Sequence, residues 1–83
     1  MFKRENFPIA DIYVPVKRRA TLIRPKVDEI AASMLEEGQK TPILVRQEDG
    51  GRLVLVEGLH RLEAAKALGE QTIIGYLVQA RKH

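Results

Sequence analysis

The chain has 83 residues, 14 basic and 11 acidic, a net charge of +3 and no cysteine. That length allows one domain, and the lack of cysteine excludes disulfides, cysteine zinc sites and thiol nucleophiles. No apolar run is long enough to span a membrane and no apolar signal core opens the chain, so the default location is the cytoplasm.

A domain of this size hides only about 60–65% of the surface its unfolded chain exposes. The core is therefore thin and a homodimer is plausible. The mild positive charge suits anionic partners from a nucleotide to DNA, without choosing among them.

Residues 1–8, MFKRENFP, show no periodicity and read as a flexible N-terminal arm before a domain over 9–83. Ile9 to Val16 alternates as a strand with Pro15 at its edge or end. Lys17, Arg18 and Arg19 follow as a basic run on a loop. A helix is expected from Pro25 to Glu37, with Val27, Ile30, Ala31, Met34 and Leu35 as its buried stripe and Gly38 as its stop. It starts with the cations Arg24 and Lys26 and ends with Glu36 and Glu37, the reverse of what the helix dipole favours, although Asp28 and Glu29 partly offset this.

Thr41-Pro42 leads into a strand from Ile43 to Gln47. The cluster Glu48-Asp49-Gly50-Gly51 then turns the chain into a second strand, Arg52 to Glu57, as in a hairpin. Gly58 follows, and Leu59, Leu62, Ala65 and Leu68 recur at helical spacing up to Gly69. The first turn of this helix carries His60 and Arg61. Thr72 to Gln79 reads as a last strand with a bulge at Gly75, and Ala80 to His83 as a basic tail. Two helices against a small mixed sheet, an α/β (α+β) fold, bury both helical stripes.

Helix starts are partly positive and hold unpaired N–H groups. Cations added there need an anion nearby, most often phosphate. Both helices show this loading, which predicts that Lys26, His60 and Arg61 converge on one anion beside Gly58. Arg61 is the strongest candidate, because its planar fork matches phosphate oxygens and keeps its charge. Glu57 is the one carboxylate next to that motif, a candidate general base or magnesium ligand.

Three segments in order resemble the ParB/sulfiredoxin superfamily: IYVPVKRR from Ile12, GQKTPILVR from Gly38 and EGLHRLEAAKALG from Glu57. This superfamily joins the N-terminal domain of partition ParB proteins, sulfiredoxins and the free serine kinases. The resemblance implies a small mixed sheet packed by two helices and a site for a nucleoside triphosphate, ATP or CTP, with magnesium as an option. By position it assigns phosphate contacts to His60, Arg61 and Lys26. It adds Ser33 along the same helix, Arg19 before it, and Gly58 and Leu59 at the turn.

Leu59 stands where sulfiredoxins carry their catalytic cysteine, so sulfinic acid reduction is excluded. No carboxylate cluster of the kind a two-metal nuclease needs is evident, and no metal site is expected. The chain ends where partition proteins continue into a helix-turn-helix, so site-specific DNA binding is not expected from it alone.

The resulting expectation is a bacterial, nucleotide-binding, regulatory or partition-related module. One alternative is a small phosphotransferase similar to a free serine kinase, with Glu57 catalytic. The other is a non-specific DNA-binding accessory that uses Lys17 to Arg19 and the tail Arg81-Lys82, alone or with a DNA-binding partner protein.

Overall fold

The computed structural model describes residues 3–78. Its elements are β1 (Arg4–Pro8), a 3-10 turn (Ile9–Asp11), β2 (Ile12–Tyr13), α1 (Val16–Arg19), α2 (Arg24–Glu37), β3 (Ile43–Gln47), β4 (Leu53–Glu57), α3 (Leu59–Ala67) and β5 (Thr72–Val78). One mixed sheet runs in the order β1-β5-β3-β4-β2. β1 is antiparallel to β5, β5 parallel to β3, β3 antiparallel to β4 and β4 parallel to β2.

The core gathers Phe7, Ile9, Ile12, Val14, Ile43, Val45, Leu55 and Ile73 with Leu59, Leu62 and Ala65 of α3. Each fully buried Leu or Ile there contributes about 1.5–3 kcal/mol. α3 lies on this cluster, whereas the main contact of α2 is α3 rather than the sheet. α2 thus packs mainly against α3, and its Met34 reaches the core cluster. This narrows the buried stripe of α2: Val27 is buried, Ile30, Ala31 and Met34 are half-buried, and Leu35, expected inside, is 76% exposed. No helix among the described residues is long and apolar enough to cross a membrane.

Two stretches depart from the pattern read in the sequence. The flexible arm expected over residues 1–8 gives way, from Arg4, to an edge strand held by antiparallel pairing with β5, from Arg4 opposite Tyr76 to Pro8 opposite Thr72. Only Phe7 of this strand is buried, so its side chains show no period. The strand expected from Ile9 to Val16 is broken by its prolines into a 3-10 turn after Pro8, two strand residues, and α1 with Pro15 as its N-cap. The basic run therefore lies on a helix and not on a loop. Gln79 and the tail Ala80–His83 fall outside the described residues.

Gly75 marks a close approach rather than a bulge. A Cβ there would lie 2.9 Å from Ile43 Cγ1, 3.0 Å from the Ile43 carbonyl oxygen and 3.2 Å from Phe7 Cδ2. The irregularity is instead between β3 and β4, where Leu44 faces Glu57 and Val45 faces Leu55. Val56 is thus left without an opposite residue, two positions before Gly58, and such an extra residue re-aims the strand end that follows.

The loop before β3 is tied down by a side chain. Gln39 accepts the Ile74 N–H at 2.8 Å through Oε1 and donates to the Ile74 carbonyl at 2.7 Å through Nε2. Its amide extends the ladder of β5 as a peptide group would.

Candidate functional site

The junction between β4 and α3 depends on Gly58. This N-cap adopts φ 110° and ψ 29°, a left-handed conformation that side chains rarely tolerate. A Cβ would also stand 2.6 Å from Ile43 Cγ2. The glycine lets the strand turn directly into α3 over the buried Ile43, and the helix closes its first turn with Leu62 N–H on the Gly58 carbonyl at 2.9 Å. The N–H groups of Leu59, His60 and Arg61 are left without helical acceptors, as at any helix start.

The start of α2 comes to this junction. His60 Nε2 accepts the N–H of Ile23, the N-cap of α2, at 3.0 Å. Between the two helix starts lies a cleft of about 270 Å³, lined by Arg18, Thr21, Lys26, Ile30, Glu57, Gly58, Leu59, His60 and Arg61. Lys26 and Arg61, 35 residues apart in sequence, therefore share one concavity with Gly58, Leu59 and His60.

The electrostatics of this cleft are unbalanced. Arg61 Nε is buried with no hydrogen-bond partner among the described residues. The ion pairs among the described residues are Lys40–Glu37, Arg46–Glu48, Arg52–Glu48 and Lys66–Glu63, and none includes Arg18, Lys26 or Arg61. A buried guanidinium nitrogen without an acceptor costs about 1–3 kcal/mol, and an oxyanion in the cleft would supply one. Glu57, at the end of β4, is the one carboxylate residue lining it. Among the described residues no three His, Cys, Asp or Glu side chains cluster as a metal site.

Two expected contacts lie elsewhere. Ser33 lines a neighbouring groove of about 210 Å³ with Glu29, Lys40, Thr41 and Arg61, and its hydroxyl faces Glu37 Oε1 at 3.4 Å. Arg61 thus borders both grooves. Arg19 lines a larger cleft of about 650 Å³ with Ala10 to Val14, Leu22, Leu59, Glu63 and Lys66. Helical twist separates it from Arg18, which, with Thr21, reaches the cleft at the helix starts. Sequence reasoning named neither Arg18 nor Thr21 there. The available signal was Pro15 followed by VKRR, a helix start that places consecutive arginines on different faces.

Residues 4–83 match the ParB N-terminal domain family. Among solved structures, sulfiredoxin from Arabidopsis thaliana is similar at 29% identity and a TM-score of 0.84, over 94% of this chain and 86% of that one. The C-terminally truncated chromosome-partitioning protein ParB from Caulobacter crescentus, complexed with CTP-gamma-S, matches at 25% identity and 0.76, over 98% of this chain and 46% of that one. A free serine kinase variant in complex with ADP matches at 16% and 0.77, over 90% of this chain and 30% of that one, a likeness of fold alone. The chain thus spans under half of the latter two proteins. No curated protein matches it in sequence.

Proposed function

The chain belongs to the ParB N-terminal domain family, and on that premise we propose that it binds a nucleoside triphosphate whose phosphates occupy the cleft between the starts of α2 and α3. The observation that carries this reading is the buried Nε of Arg61, in a cleft it shares with Lys26, both without a partner among the described residues. Gly58 lets a ligand approach the backbone there, and the amides at the start of α3 that lack helical acceptors complement an anion. Support also comes from similar proteins that hold CTP-gamma-S or ADP. ATP and CTP both suit the cationic cleft, and Glu57 is the carboxylate there that would hold a magnesium ion, which would offset phosphate charge. A regulatory or partition-related role is the part of this reading that membership of the family supports.

Titration calorimetry with ATP, CTP and their diphosphates, with and without magnesium, tests the proposal. Saturable binding is expected, together with a gain of about 2.7 kcal/mol in stability at a hundred times the dissociation constant. Absence of heat from every nucleotide, with the protein folded, refutes it.

Glu57 in the same cleft favours a second reading, phosphotransfer to a small hydroxyl acceptor with Glu57 as general base. Glu57→Gln should then abolish diphosphate production while leaving nucleotide affinity intact, and an unchanged rate removes Glu57 from the chemistry. The cations of α1, exposed and without an ion pair among the described residues, would also meet the phosphates of DNA. That contact predicts steep loss of a gel shift with salt.

A further inference from the structure

Val16 to Ile23 forms a strap that walls two clefts at once. Arg18 and Thr21 line the cleft at the helix starts, while Arg19 and Leu22 line the larger cleft on the other side of Leu59. No residue of α1 is buried, and Val16 is 71% exposed. So little apolar burial leaves the strap weakly held by packing. Among the described residues its hydrogen bonds are otherwise local: Thr21 N–H to the Arg18 carbonyl, Leu22 N–H to the Arg19 carbonyl, and the Thr21 hydroxyl to the Arg18 carbonyl at 2.7 Å. At its far end, Ile23 N–H donates to His60 Nε2 across 37 residues of sequence.

We infer that His60 is a positioning residue for the phosphate cleft: it latches the strap and the start of α2 onto α3, and so holds Lys26 beside Arg61. This rests on the phosphate reading above and changes what His60 does within it. The lone pair of Nε2 is used by the Ile23 amide, and a neutral imidazole that accepts at one nitrogen carries its proton on the other. A ligand anion therefore meets the Nδ1–H side of the ring or none of it. A phosphate oxygen that required a proton on Nε2 would cost the latch its acceptor. The N-cap of α2 has no side-chain capping bond of its own. Lys26 follows one turn later, its N–H on the Ile23 carbonyl at 3.1 Å, so displacing Ile23 displaces Lys26.

Two measurements test this. The first needs no ligand: amide hydrogen exchange at Ile23 should rise about tenfold or more in His60→Ala and recover in His60→Gln, whose carbonyl oxygen can accept in place of Nε2. Unchanged exchange in His60→Ala overturns the latch, whether or not nucleotide binds. The second is a double-mutant cycle of His60→Ala and Lys26→Ala, read by ADP affinity. If His60 acts through Lys26, the double variant binds no more weakly than the weaker single variant. Fully additive losses mean that His60 touches the anion independently and overturn the positioning role. Failure of the parent to bind ADP, and likewise ATP, CTP and CDP, refutes the phosphate reading and this role in it, while the exchange result still decides whether the latch exists.

Discussion

The turn of the β3–β4 hairpin and the junction of α1, α2 and α3 treat their cations in opposite ways. At the turn, Glu48 holds Arg52 at 2.7 Å and Arg46 at 3.2 Å, and the Arg52 guanidinium also lies 4.5 Å over the Tyr13 ring. These contacts tie the hairpin to the short edge strand β2. The hydrogen bond from Arg52, with the charges of Arg52 and Arg46, draws the Glu48 carboxyl below its ordinary range against a smaller desolvation effect. At the junction, Arg18, Lys26 and Arg61 meet in one cleft with no ion-pair partner among the described residues. Charge that serves the fold is matched locally. The charge left unmatched where the helix starts converge is what the proposed phosphate ligand would match.

The strongest way to break this contrast is to break the junction. Gly58→Ala should destabilise the protein by about 2–4 kcal/mol, combining backbone strain with a clash on Ile43. Denaturant titration reads this directly, and a loss below the size expected of a surface change would mean that the turn can relax.

Arg61→Ala comes next. Nucleotide affinity should fall about 10–100-fold, the scale of a hydrogen bond to a charged group, while stability holds or rises because an unpartnered buried nitrogen is removed. Equal loss of stability and affinity would identify Arg61 as structural instead.

The contrast sharpens when an unmatched lysine is set against a matched one. Lys26→Ala should weaken nucleotide binding about two- to fivefold with little change in stability. Lys66→Ala, which removes the 3.1 Å pair with Glu63, should leave affinity unchanged. Isothermal titration of both variants at two salt concentrations separates them, since only the Lys26 effect should shrink with salt.

The smallest effect belongs to Glu48→Gln. A carboxyl drawn down in the folded state stabilises it above its unfolded pKa, and this contribution is lost as pH falls through the folded value. The parent should therefore exceed the variant in stability near pH 7, and the gap should close in acid below the ordinary carboxylate range. A gap that persists in acid would mean that packing, not charge, ties down the turn.

How much of this was legible in the sequence follows from what each segment buries. β3 appears with the expected bounds because Thr41-Pro42 and the Glu48–Gly51 cluster punctuate it on both sides. α3 was legible because its apolar spacing serves a single buried face. β1 was not, since four of its five side chains are exposed and its pairing with β5 is made by the backbone. In the cleft, Gly58, Lys26 and Arg61 were readable as a glycine turn and two misplaced cations. Arg19 and Ser33 were assigned by position in the family, and the twist of α1 and the two helical turns between Lys26 and Ser33 carry them to neighbouring concavities. The partner of His60 was invisible, because it is a backbone amide whose nearness comes from folding alone.

The amide of Gln39 has a chemical consequence that a peptide group would not. Hydrolysis of that side chain to a carboxylate would replace the donor facing the Ile74 carbonyl with a second oxygen, turning an attraction into a repulsion. The ladder of β5 therefore rests, beside the start of β3, on a bond that spontaneous deamidation can cleave, and aged protein should show loosening of β5 as its mass rises by one unit at residue 39.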